Sequence, residues 1–458
     1  MTASNTAPPP AAAHPADSQS ADSEGREASG LGPLDAAGRP RFRLGPLFAT
    51  YPLAHVALSM TWIGIGSFLI PLQVTAIKGH PDPDALKNAV ALGAALAAIG
   101  NPVFGAISDR TRSRFGRRAP WMLACALLGA GAILWQADAK SIGLLAVTWG
   151  VVQFILNGFQ AALTTTMADR VPPAKYGLFS GVAGLAMPLA TIFAAFFIGG
   201  IDGKKLGYHG VVGGFDGKFQ GRNGYALIAA FVVAVTVLFV IVTPDKSSKG
   251  LAVERFSLRR FLANFWVSPK QHPDFVIAFA SRFGVVAGFF MFQTYSLYVL
   301  LEYIHVKPQD APSTLGFLMV VNAVAMVAVA LVVGRLVDGS GRIKPFVLGS
   351  GVVSALSLFI PMLWSSVDGM TLYNVVNGVG FGMYMAVDAA LITRVLPRGE
   401  DAGKDMGLIN IANAAPQVAA PFLASWIVET WGYDALFPIC GCVALAGAAL
   451  VVRVKSVR

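Results

Sequence analysis

Apolar residues gather in long blocks along this chain, separated by short stretches of charge, glycine and proline. Twelve blocks stand near residues 50–77, 88–108, 119–137, 142–168, 177–200, 224–243, 274–301, 313–337, 345–365, 370–393, 407–429 and 434–452. Each is long enough to cross a bilayer, for which a helix needs about 20 residues. An open sheet edge cannot sit in hydrocarbon, because its backbone groups would have no partners, so the blocks predict helices. The expected fold is an all-α membrane protein with twelve transmembrane helices.

A charged stretch at 244–273 divides the blocks into two sets of six. The expected organisation is a disordered cytoplasmic tail at 1–45, a six-helix bundle at 46–243, a central cytoplasmic loop at 244–273, a second bundle at 274–452 and a short tail at 453–458. The first segment is rich in Ala, Pro, Ser and Asp and cannot bury enough apolar surface to fold. It has no basic-then-apolar signal pattern. Most Lys and Arg fall in alternate loops: Arg110 to Arg118, Arg170 and Lys175, Lys246 to Lys270, Arg335 to Lys344, Arg394 to Lys404, and both tails. Cationic loops stay on the cytoplasmic side, which puts both termini there, in the plasma membrane. The halves also repeat. Gly105-x-x-x-Asp109 recurs as Gly334-x-x-x-Asp338, and Val171-Pro172-Pro173 recurs loosely as Val395-Leu396-Pro397. Two parallel six-helix repeats around a cavity are a transporter plan.

Composition removes the other classes. Apolar residues make up 55%, charged residues 13%, and mean hydropathy is +0.61. A soluble chain carries about 25% charge, so a water-soluble enzyme, a fibre and a disulfide scaffold are excluded. The formal charge of +10 fits cytoplasmic cationic loops on a lipid partner, and no nucleic-acid partner is expected. Cys125, Cys440 and Cys442 sit in apolar runs and read as core residues, with no metal site. No Gly-x-x-x-x-Gly-Lys-Ser/Thr loop is present, so energy from a gradient is expected rather than ATP, and no cofactor. A monomer is expected.

The strongest motif joins helices 2 and 3. It reads Gly105-Ala-Ile-Ser-Asp109-Arg110-Thr-Arg112-Ser-Arg114-Phe-Gly116-Arg117-Arg118-Ala-Pro120-Trp121. Asp109 is an acid at a helix end among arginines, able to bind Arg110, Arg117, Arg118 or the N-terminus of a helix in the other half. A contact made in one conformation and broken in another would be a gate latch. The bland alternative is that the arginines only hold the loop in the cytoplasm. Asp338, Gly341, Arg342 and Lys344 form the weaker twin.

This loop resembles the signature of the major facilitator superfamily. Its long spacing from Asp109 to Gly116 is similar to the branch holding the glycoside–pentoside–hexuronide:cation symporters and the sucrose transporters. The resemblance implies two halves that rock to give alternating access, and a central site lined by helices 1, 4, 7 and 10. It further implies import of a sugar or glycoside coupled to a cation. Ala97, Asn101 and Asn157 stand where melibiose-permease-like members carry carboxylates, so a proton is expected rather than sodium.

Polar side chains in hydrocarbon are costly and mark a cavity or a partner helix. Helix 4 carries Gln153, Asn157, Gln160 and Thr164 on one face, and helix 1 carries Ser59, Trp62 and Gly66. Helix 7 carries Gln293, Tyr295, Tyr298 and Glu302; helix 10 carries Asn374, Asn377, Tyr384 and Asp388. Amides, phenols and a flat indole suit a polyol, and the alternative is glue between helices. Arg282 lies about two turns into helix 7 and could meet Asp388 or an anionic substrate, or reach the surface. Asp388 could instead pair with Arg394. Glu302 reads as a proton acceptor, an outer gate or a solvated rim residue. His55 reads as a titratable group or an interface residue. Asn410, Asn413 and Gln417 on helix 11 could face helix 2 near Asp109 or Asn101, and the Gly-rich loop 201–223 reads as a lid or a linker. The rival function is efflux of a drug or secondary metabolite.

Overall fold

The structure, a computed structural model, describes residues 42, 44–172, 175–200, 221–249, 273–340, 343–395 and 402–455. Some side chains within these helices, such as 338–340 and 402–414, are outside the description. The elements are helical throughout. In chain order they are α1 (Leu44–Lys78), α2 (Pro83–Arg110), α3 (Ala119–Ala137), α4 (Ile142–Arg170), α5 (Tyr176–Gly184 and Ala186–Phe197) and α6 (Arg222–Val242). The second set is α7 (Pro273–Tyr303), α8 (Ala311–Ser340), α9 (Lys344–Leu363), α10 (Val367–Val395), α11 (Ala402–Trp431) and α12 (Tyr433–Arg453).

Among the described residues, nine of these are long and apolar enough to cross a membrane: all except α5, α10 and α11. The expected single fifth helix is interrupted at Leu185. Pro188 has no N–H for the carbonyl of Gly184, and glycine is a weak helix former at that joint. The first helix begins at Leu44, inside the stretch expected to be tail, and it changes register midway. Thr61–Leu69 is π-helical, closing with the Ile70 N–H on the Ile65 carbonyl. Gly64 and Gly66 soften this segment, and Pro71 cannot donate back to Ser67, which removes the α-type bond that would compete.

Each half packs on its own members. In the first, α2 lies on α4, α3 on α4 and α6, and α1 on α5 and α6. In the second, α10 lies on α8 and α9, and α12 on α7 and α9. Apolar burial cannot drive helices together in lipid, so close backbone contact does. Gly284 of α7 faces Gly447 of α12 so closely that a Cβ on Gly284 would stand 2.6 Å from the Gly447 Cα. The halves meet through α2 with α11, α5 with α8, and α1 with α7.

Candidate functional site

The Arg-rich loop between α2 and α3 is the most densely bonded part of the first half. Gly116 turns the loop with φ +82°, a left-handed conformation that favours glycine, and any Cβ there would collide with the Asp245 carboxylate. That turn sets Arg117 and Arg118 against α4. Arg117 pairs with Asp169. Arg118 donates from Nε to Asp169 Oδ2 at 3.0 Å and from Nη1 to Ser108 Oγ at 2.6 Å, and its Nη2 lies 2.6 Å from Asp109 Oδ1. Asp245, just past α6, accepts the Arg118 backbone N–H at 3.2 Å and lies 3.4 Å from Arg170 Nη2. Ser248 stitches the same segment to the loop, donating its N–H to the Ser113 carbonyl at 3.0 Å. Arg110 turns back on the Ala106 carbonyl at 2.7 Å.

Burial raises the Asp169 pKa, but Arg118 and Arg117 outweigh it and hold this carboxyl below the usual range. Burial disfavours the Arg118 charge, and Asp169 and Asp109 more than restore it. Asp109 thus engages Arg118 of its own half in this conformation. Asp169 and Asp245 complete the network. No helical spacing links Asp245 to the loop, so sequence reasoning missed it. The twin motif cannot be compared: the Asp338 side chain and Arg342 lie outside the described residues, as do the side chains of Asn410 and Asn413, while Gln417 is exposed.

At the opposite, distal end the halves are locked together. Tyr295 of α7 donates to the carbonyls of Pro83 on α2, at 3.0 Å, and Pro421 on α11, at 3.2 Å. Tyr298 donates to Pro71 of α1 at 3.4 Å. Both tyrosines are fully buried, as are Phe68, Leu69 and Ile70 beside them. Lys87 of α2 approaches Glu429 of α11 at 4.0 Å. Glu302 is exposed at this end, within the π-helical turn Val299–Tyr303. Toward the Arg-rich end several glycines of these helices face open space. A Cβ on Gly181, Gly184 or Gly334 would meet no atom within 4 Å, and one on Gly105 would meet only Ala161 of its own half.

Between these ends lies a half-buried polar stripe. From Val56 to Pro71, only Ser59, Trp62, Gly66 and Ser67 escape burial. Trp62 meets Trp149 of α4 edge-on, with ring centres 6.4 Å apart. On α4, Asn157 donates to the Gln153 carbonyl at 2.8 Å and to its Oε1 at 3.3 Å. Gln160 and Gln293 are half-buried, and their side-chain amides make no hydrogen bond among the described residues. Tyr295 and Tyr298 do not share this stripe; they form the distal plug.

The α10 residues are turned into their own bundle. Asn322 of α8 donates to the Asn374 carbonyl at 3.1 Å and to Asn377 Oδ1 at 3.4 Å, and Asn377 reaches Ser357 of α9 at 3.4 Å. Asn374 and Asn377 therefore hold α8, α9 and α10 together. Deeper toward the Arg-rich end, Arg282 Nη1 lies 2.6 Å from Asp388 Oδ2, and Tyr384 donates to Asp388 Oδ1 at 2.8 Å. His55 faces the Tyr51 ring at 4.7 Å. Among the described residues no group of His, Cys, Asp and Glu could hold a metal ion.

The model of the Major Facilitator Superfamily matches residues 53–307 and 283–458. An MFS-type transporter of Mycobacterium tuberculosis (strain ATCC 25618 / H37Rv) is 24% identical over 410 residues, covering 87% of this chain and 90% of that protein. The Proton-associated sugar transporter A of Homo sapiens is 30% identical over 194 residues, 39% of this chain and 25% of that protein. A crystal structure of a POT family transporter in complex with 5-aminolevulinic acid superposes with a TM-score of 0.68 at 13% identity, covering 93% of this chain and 98% of that one. That likeness is one of fold.

Proposed function

The chain belongs to the Major Facilitator Superfamily, and from that premise we propose that it imports a sugar or glycoside across the plasma membrane in symport with protons. In this reading twelve helices cross the bilayer, both termini and the Arg-rich loop are cytoplasmic, and the protein works as a monomer. The locked distal end is then the outer gate, and the conformation is open to the cytoplasm.

The observation that carries the substrate class is the stripe of Trp62, Gln153, Asn157, Gln160 and Gln293. Asn157 is buried and the other four are half-buried; the stripe holds no charge and offers amide donors and acceptors beside an indole face. Hydroxyl groups satisfy amides without bringing a charge into a low-dielectric space, and an indole covers the apolar face of a sugar ring. The similarity to a human proton-associated sugar transporter supports the same class. Tyr295 and Tyr298 act as gate rather than as ligands, and the Asp109–Arg118 contact is the cytoplasmic latch, closed on its own half while the molecule faces inward.

The test is a thermal-shift screen of the purified protein in detergent with sugars, glycosides and apolar drugs. A ligand of the folded state at about a hundred times its Kd stabilises it by about 2.7 kcal/mol. One sugar class should stabilise, and Gln160→Ala and Gln293→Ala should each weaken that sugar about tenfold. Stabilisation by drugs alone would replace import with efflux.

A further inference from the structure

We infer that the core of the second bundle binds one ordered water molecule, held by Tyr373, Ser354 and Asn377 between α9 and α10; this holds whether the cargo is a sugar or a drug.

Tyr373 and Asn377 lie one turn apart on α10, and Ser354 stands on α9. They are 4%, 4% and 7% exposed. A buried hydroxyl without a partner is costly, and native proteins leave few. The hydroxyls of Tyr373 and Ser354 nevertheless make no hydrogen bond among the described residues. Asn377 is bonded loosely. It donates to Ser357 Oγ and accepts from Asn322, both at 3.4 Å, and a side-chain amide can make four bonds.

The same three residues line one small space inside the second half, walled by α7, α9, α10 and α12. The centre of a water-sized sphere can move through about 10 Å³ of it, which is the room of a single water. Gly380 brings the Ser354 hydroxyl against the backbone of α10, where a Cβ would stand 2.5 Å from Ser354 Oγ. Phe289 of α7 and Phe381 of α10 stack at 3.9 Å beside the space, and Val285, Leu358 and Ala444 extend the apolar wall.

A space lined by Leu and Phe alone can stay dry, but two hydroxyls and an amide need a partner. Water has two protons and two lone pairs. It can accept the Tyr373 O–H and donate to Ser354 Oγ and to Asn377 Oδ1, three bonds in all, as buried waters commonly make. No acidic side chain lines the space among the described residues, so a sodium ion there would carry an uncompensated charge. A bridging water is nearly as good as a direct bond. It extends the Asn322–Asn377–Ser357 chain to Tyr373 and Ser354, and so ties α8, α9 and α10 into one network. A half tied in this way rocks as one body.

The first test is a crystal structure of the purified full chain in a lipidic phase, at a resolution that shows ordered water. One density peak should stand within about 3.2 Å of at least two of Tyr373 Oη, Ser354 Oγ and Asn377. No peak there, or a side chain filling the space, would overturn the assignment, and neither result depends on how a variant folds. The second test is thermal unfolding of Ser354→Ala, Tyr373→Phe and the double variant. With water bound, each single change loses a bond and should lower the midpoint by a few degrees. The double variant should lower it by less than the sum, because both hydroxyls share one partner. In a dry space each change removes an orphan hydroxyl, so an unchanged or raised midpoint would count against the water. Midpoints in sodium chloride and in choline chloride of equal strength should agree. A sodium-specific rise that Ser354→Ala abolishes would give the site to a cation instead.

Discussion

The two halves handle buried charge in opposite ways. In the first half the charges lie just beyond the spanning segments and share partners: Arg118 alone contacts Asp109, Asp169 and Ser108 through its guanidinium and Asp245 through its backbone. In the second half Arg282 pairs with Asp388 inside the span, where Tyr384 also donates to Asp388. A charge with many partners survives the loss of any one of them, so one proton changes little. The same ionic chemistry therefore builds a clasp of shared partners at the membrane surface and a pair within the span.

Two charge substitutions test that contrast, the larger expected effect first. Arg118→Met leaves Asp169 and Asp109 short of a partner and should cost about 3 kcal/mol of stability in reversible denaturation, across the neutral range. Arg282→Met should cost about 1–2 kcal/mol near neutral pH. Its cost should shrink as pH falls, because Asp388 can take a proton and shed its charge, and grow as pH rises through the carboxylate range. Identical pH profiles for the two variants would erase the distinction between the clasp and the pair within the span.

Gly116→Ala probes the clasp through the backbone alone. The left-handed turn costs a non-glycine residue about 1–2 kcal/mol, and the added methyl must push Asp245 aside. A loss of about 2 kcal/mol, with faster proteolysis of the Arg-rich loop, is expected. A variant as stable as the parent would mean that the loop and Asp245 are not held together. The smallest effect belongs to the plug. Tyr295→Phe removes two bonds to backbone carbonyls, worth about 1 kcal/mol together. It should raise the labelling rate of Ser59→Cys from the distal side several-fold; unchanged labelling would take Tyr295 out of the gate.

Much of the fold was legible in the sequence, because bilayer thickness and backbone satisfaction leave a long apolar block little choice but helix. The interruption at Leu185 has a local cause in Gly184 and Pro188, but the apolar block 177–200 runs unbroken across it, and hydropathy alone reads one helix there. The polar stripe on α1 was legible for a related reason. Ser59, Trp62 and Gly66 share a face at helical spacing, and that face is the one left half-buried. The α10 asparagines follow the same rule of spacing, yet they bond to α8 and α9. Periodicity tells which residues share a face; it is silent on what that face meets.

The sequence by itself determined a helical membrane protein with a repeated motif, an arginine-rich loop, and the polar residues that hydrocarbon would not tolerate unpartnered. Those follow from local physics, namely hydrophobic length, charge placement and backbone strain. Only the tertiary structure decided that Asp109 meets Arg118 rather than the other half, that Asp245 joins them, that Tyr295 and Tyr298 plug the distal end, and that Arg282 meets Asp388. Each of those contacts joins different helices, or a helix and a loop. They depend on how the helices rotate and lean together, which close glycine contacts and shape set, and no periodicity along one helix encodes.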